Sequence, residues 1–254
     1  MAQALDTTTE AAQQKDNLCG PFWAARILRD FGVDEWDGEQ IDEDLIALRA
    51  GTVLPDSPEG SVPTDAQSRT DYRCELPTAP AAESGTAAGP LADAVELGSG
   101  GALRCVPLRG VWTAERVERL VEEAPAVGAR LLANVRTGAL WASRPPLEAL
   151  LAELAGRPAA DPPADWDVGH FFELSFLLRG TRGSLVLVRD SYPSFGWNAH
   201  HLQPPRAIAA ALLRGDGREG GVLAIAPRRR AAEIEAVANE LELEVAIWDN
   251  GTRR

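Results

Sequence analysis

Two apolar runs, HFFELSFLL at His170–Leu178 and SLVLVRDS at Ser184–Ser191, flank the short glycine-containing segment RGTRG. This pairing constrains the 254-residue chain more than any other feature. Runs rich in β-branched and aromatic residues around so short a turn predict an antiparallel hairpin. A hairpin of this length cannot stand alone in water, so it demands more strands or covering helices. Further strands are expected over 129–136, 222–226 and 244–248. Helices are expected from Pro21 to a stop at Gly32, and over 40–50, 113–124, 145–155, 206–214 and 231–241. Pro21 suits a first helical turn, where no backbone N–H is required, and Thr113 is a natural N-cap. Helices early and antiparallel strands late make an α+β pattern, read as one domain over 1–254.

Two stretches interrupt that pattern. Residues 52–101 are rich in Pro, Gly, Ser, Thr and Asp, with weak apolar periodicity. They read as a long low-complexity insertion or lid. Residues 138–165 read as a smaller insertion. Hydrophobic residues make up 45% and charged residues 25%, ordinary for a globular chain. The formal net charge of −13 argues against nucleic acid and anionic membrane as partners and hints at a basic or neutral substrate. Lys15 is the only lysine, and the one basic cluster, Arg228–Arg230, reads as a solvated helix start. The N-terminus lacks a basic-then-apolar signal and no run is long enough to span a membrane, so the expected location is cytoplasmic. No cofactor is expected. Cys74, Cys105, His200 and His201 lack zinc-site spacing, and GSGG at Gly98–Gly101 is not followed by the Lys of a phosphate loop.

Three residues remain that could carry chemistry together. Cys19 sits where a loop enters a helix, and the partial positive charge of a helix N-terminus favours a thiolate. Gly20 would let a substrate approach the backbone closely. His170 opens the first hairpin strand after Gly169, and Asp190 ends the second. Each lies about ten residues from the centre of the turn, so pairing brings the carboxylate toward the imidazole, whose tautomer it would fix. Phe195 and Trp197, in SFGWNAHH, could line the same cleft.

An early Cys-Gly at a helix start, a Gly-His opening a late strand and an Asp-Ser ending the next resemble the papain-like superfamily. The closest likeness in style is to the cysteine peptidases that process bacteriocin leader peptides. In those, a Gln lies six residues before the nucleophile, as Gln13 does before Cys19, and Asp190-Ser191-Tyr192 resembles the Asn-Ser-Trp of plant-type members. The resemblance implies a two-lobed papain-like fold, with Cys19 attacking a carbonyl, His170 moving the proton and Asp190 orienting His170. Gln13 would donate to the oxyanion beside the backbone N–H of Cys19, and Tyr192 would shield the triad. The implied function is hydrolysis of an amide or peptide bond in a peptide or amide-containing small molecule. Two alternatives stay open: acyl transfer or amide ligation by the same triad, and a catalytically idle module that binds a partner.

Overall fold

A computed structural model describes residues 12–57, 62–157 and 159–253. In chain order the elements are α1 (Cys19–Asp30), β1 (Glu35–Trp36), β2 (Glu39–Gln40), α2 (Glu43–Arg49), β3 (Leu54–Pro55), β4 (Thr78–Ala79), α3 (Ala88–Gly98) and β5 (Leu103–Arg109). They continue with α4 (Ala114–Glu123), β6 (Arg130–Arg136), α5 (Leu147–Leu154), β7 (Gly169–Arg179), β8 (Ser184–Arg189), β9 (His200–Gln203), α6 (Pro205–Leu213), β10 (Gly221–Pro227), α7 (Ala231–Glu240) and β11 (Glu244–Val245). The α+β reading holds: seven strands form one antiparallel sheet in the order β11-β5-β10-β6-β7-β8-β9.

Helices cover both faces of that sheet, so its central strands are apolar at nearly every position. Leu132, Phe171, Leu223 and Ile225 face α1, α2 and α3. Leu131, Ala133, Phe172, Val222 and Ala224 face α4, α6 and α7. The alternation follows the period of two that a strand imposes. Among the described residues no helix is long and apolar enough to cross a membrane.

The stretch 52–101 differs from its expected role as one covering insertion. Its end is α3, whose Leu91 and Val95 are fully buried beneath α1, so this part belongs to the core. Its middle is tied to the chain that leads into α1. Ser68 Oγ donates to Asp16 Oδ2 at 2.5 Å, the Arg69 N–H donates to Asp16 Oδ1 at 2.9 Å, and Tyr72 Oη donates to the Asp16 carbonyl at 2.9 Å. Lys15 is buried there as well, 2.6 Å from Asp44. In 138–165, α5 packs Ala149 and Leu150 with Trp141, Leu185 and Ala207. The expected last strand, 244–248, shortens to Glu244–Val245, and Trp248 turns into the core to donate to Asn134 at 3.1 Å.

Candidate active site

Cys19 is the first residue of α1 and is half-buried. Its own backbone N–H belongs to the first turn, whose donors have no intrahelical partner. The helix is held low on the sheet by an apolar face that includes Trp23, Ile27 and Leu28, all at 1% exposure or less. Gly20 makes that approach possible. A Cβ there would stand 3.0 Å from Leu91 Cδ2 and 3.2 Å from Phe171 Cδ2. Gly20 is therefore a packing glycine, and the expectation that it admits substrate is corrected. Just before the helix, Asn17 holds φ +63°, a left-handed backbone that Asn tolerates better than most residues.

His170 and Asp190 meet through a detail of the hairpin. Near the turn, Leu177 pairs with Val186; beyond Ser175, Leu174 pairs with Val188 and Glu173 with Arg189. One extra residue has entered β7. Without that bulge Asp190 would fall opposite Glu173 and share the face of Phe171. With it, the register carries Asp190 to the position opposite Phe172, on the face of His170. His170 Nε2 then lies 3.2 Å from Asp190 Oδ1, with both side chains 2% exposed. This leaves Nδ1 as the nitrogen available to the thiol, and Cys19 is near enough to act on His170 through charge and hydrogen bonding. Burial by itself would lower the His170 pKa. The Asp190 charge and hydrogen bond outweigh it, Cys19 adds to them, and the imidazolium is favoured above its ordinary value. Burial would likewise raise Asp190, but the His170 charge and hydrogen bond hold its carboxyl well below the usual range.

Asp190 has a second histidine neighbour. His201 Nε2 lies 3.6 Å from Asp190 Oδ2. Its tautomer follows from a chain of contacts. The Trp141 N–H donates to Gln203 Oε1 at 2.8 Å, and Gln203 Nε2 donates to the Trp141 carbonyl at 3.0 Å. That pair fixes the amide, so Gln203 Nε2 also donates to His201 Nδ1 at 3.0 Å. Neutral His201 must then carry its proton on Nε2, aimed at Asp190. The carboxylate further accepts from the backbone N–H groups of Ser191 at 2.7 Å and Tyr192 at 3.2 Å.

The cleft beside Cys19 and His170 has a volume of about 220 Å³, and Gln14, Asn17, Trp166 and Gly169 are among its walls. Gln13 is not one of them. Its side-chain amide donates to the Gln67 carbonyl, away from the cleft, because Arg69 and Gln67 hold it from the other side. Gln14 lines the cleft instead. It is 1% exposed, its Oε1 accepts from Ser191 Oγ at 2.5 Å, its Nε2 donates to the Lys15 carbonyl at 3.1 Å, and its backbone N–H donates to the Ser191 carbonyl at 3.1 Å. Gly169 lines the cleft. Tyr192 is fully buried behind His170, stacked at 6.0 Å and 27°, so it shields the imidazole and does not line the cleft. Trp197 is 52% exposed and also lies outside the cleft. The left-handed backbone of Gly196, Asn198 and Ala199 turns the chain tightly back there. Trp166 supplies the cleft aromatic, edge-on to His170 at 5.3 Å. No metal-binding cluster occurs among the described residues.

The other two thiols differ from Cys19 in setting. Burial, then the Asp44 charge, pushes the Cys74 thiol up, and burial does the same more strongly to Cys105. Chemically, the assembly of a half-buried thiol, a buried imidazole and a fixed carboxylate is suited to nucleophilic attack on a carbonyl.

The family DUF6885, a family of unknown function, matches residues 1–249. The chain belongs to that family. No curated protein and no solved structure matches this DUF6885 chain.

Proposed function

We propose that this DUF6885 protein is a cysteine-nucleophile enzyme of papain-like arrangement that cleaves an amide or peptide bond through a thioester. The observation that carries the reading is the buried His170–Asp190 pair, formed across a bulged hairpin and set against the cysteine that opens α1. Cys19 and His170 reach one small cleft from widely separated segments, with Asp190 behind the imidazole, and a buried ion pair is costly to assemble unless the surrounding structure supports it.

In this mechanism the Cys19 thiolate adds to the carbonyl carbon and the carbonyl electrons move to oxygen. The Cys19 N–H and the second N–H of the Gln14 side-chain amide, whose first donates to the Lys15 carbonyl at 3.1 Å, are assigned as the donors to that oxyanion. His170 gives its proton to the departing amine as the C–N bond breaks, leaving the thioester. Water then loses a proton to His170 as it attacks, and the thiolate leaves. Asp190 touches none of the reacting atoms. It holds the imidazole with Nε2–H turned inward, as a positioning residue.

The test is acylation by p-nitrophenyl acetate followed by peptide mass spectrometry. An acetyl adduct on Cys19 that hydroxylamine removes, absent in His170→Ala, is expected. Acetylation of Cys74 and Cys19 at equal rates, indifferent to His170, would refute the assignment.

A further inference from the structure

The cleft wall carries a charge opposite to that of the whole protein. The chain has 38 acidic and 25 basic residues, yet no Asp or Glu lines the cleft among the described residues, and Arg136, Arg214 and Arg218 do. Their carboxylate partners number two. Arg136 bonds Asp167 at 2.5 Å and lies 3.8 Å from Asp216. Arg214 makes a two-pronged pair with Asp216, Nε to Oδ1 at 3.1 Å and Nη2 to Oδ2 at 2.7 Å. Arg218 has no carboxylate within 4.0 Å among the described residues. It donates to the Ala82 carbonyl and lies across Gly251. Three guanidinium groups against two carboxylates leave one positive charge in excess.

Arg214 shows that this wall is built at a cost. Its side chain is 2% exposed, and its backbone sits at φ +50°, ψ +118°, a region non-glycine residues avoid. Strain of this kind persists only where the surroundings enforce it, and it concentrates at functional sites. Asp216 occupies Nε and Nη2, while Nη1 has no acceptor among the described residues. The guanidinium borders Gly169, next to His170: a Cβ on that glycine would stand 3.5 Å from Nη2 and 3.6 Å from Nη1. An almost fully buried cation with unclaimed donors therefore opens onto the cleft beside the imidazole.

We propose that the cleft takes a substrate bearing a carboxylate, which Arg214 Nη1 and the Arg218 guanidinium receive while the scissile carbonyl reaches Cys19. Guanidinium donors match a carboxylate in geometry and charge. The expectation of a basic or neutral substrate, drawn from overall charge, is replaced by this local one. With about 220 Å³, the cleft is smaller than the ~300–1,000 Å³ of typical ligand pockets, which favours a short substrate end such as a peptide C-terminus. The placement of the carbonyl at Cys19 rests on the proposed acyl chemistry; recognition of the carboxylate does not.

Binding is therefore tested without turnover, in Cys19→Ser, by NMR titration with N-acetylglycylglycine and with its C-terminal amide. The carboxylate probe should bind about tenfold or more tightly than the amide. The preference should weaken with added salt and vanish in Arg218→Gln, a variant of a half-exposed side chain that keeps a donor for Ala82. Equal binding of the two probes, no binding of either, or a preference that survives Arg218→Gln would overturn the proposal. A carboxylate preference together with an unreactive Cys19 in the wild type would leave the subsite standing and sink only the catalytic reading.

Discussion

Replacing Asp190 by Asn removes one charge and almost no volume from the centre of the site. In the wild type the carboxylate accepts from His170 and two backbone N–H groups and lies 3.6 Å from His201 Nε2, with its side chain 2% exposed. Stripping one partner from a buried ion pair costs about 3–5 kcal/mol. Asn keeps an oxygen for the Ser191 and Tyr192 N–H groups, and His170 can release its proton, so the expected loss is about 2–4 kcal/mol. For a chain of this length that is about 5–15 °C in Tm. The sign with pH follows from the two shifts. Asp190 is depressed, so its contribution is present above the unfolded value of ~3.9 and lost as pH falls through the folded one. His170 is raised, so its contribution is complete below ~6.5 and lost as pH rises through its elevated folded value. The deficit of Asp190→Asn should therefore be largest near pH ~5–6 and shrink toward alkaline pH. Thermal melts of both proteins across that range, read beside acetylation of Cys19, supply the assay. Acetylation should fall by about 10²–10⁴. A variant as stable as wild type at pH ~5.5, with unchanged acetylation, would refute the claim that Asp190 and His170 form a charged, positioning pair.

Other expectations follow from neighbouring contacts. Gln14→Ala should slow acylation of Cys19 by about 10²–10³, as loss of one oxyanion donor does, whereas Gln13→Ala should leave the acylation rate near wild type. Gln203→Leu removes the donor that sets the His201 tautomer. It should lower the acylation rate less than Asp190→Asn and shift the pH profile, a change that simple loss of packing would not produce. Glu43, pushed up to about 7 by burial against the opposing Lys15 N–H bond and the nearby Arg69 charge, holds a proton in the folded protein that the unfolded chain has released. Its stabilising effect is therefore complete below pH ~4.5 and lost as pH rises to about 7, on the order of 3 kcal/mol. Glu43→Gln should raise the Tm at pH ~8 and flatten its decline, as followed by calorimetry.

The hairpin, Cys19 and the two strand-end residues were legible because they rest on local pattern: period two, a short turn and helix-start chemistry. The bulge was not. Counting from the turn puts His170 and Asp190 near each other, but only the extra residue at Ser175 puts them on one face, and nothing in HFFELSFLL marks that position. Helix α3 escaped because its buried stripe, Ala88, Leu91, Ala92, Val95 and Gly98, is mostly small residues and Gly89 and Pro90 stand in its first turn, so its periodicity is weak in the sequence. Strand β5 escaped because Arg104, Pro107 and Arg109 break its apolar run. The choice between Gln13 and Gln14 depended on Arg69 and Gln67, more than fifty residues away in sequence. The arginine wall could not be read at all, since Arg136, Arg214 and Arg218 converge only through the sheet and the chain entering β10.

The central claim is that His170 activates Cys19, and the rate of iodoacetamide labelling at each cysteine tests it most directly. Cys74 and Cys105, whose thiols burial pushes up, serve as internal references in the same digest. The account predicts that at pH ~6 Cys19 labels at least about tenfold faster than Cys74 and that His170→Ala abolishes the difference. Labelling of Cys19 at the pace of Cys74 in both proteins would contradict it.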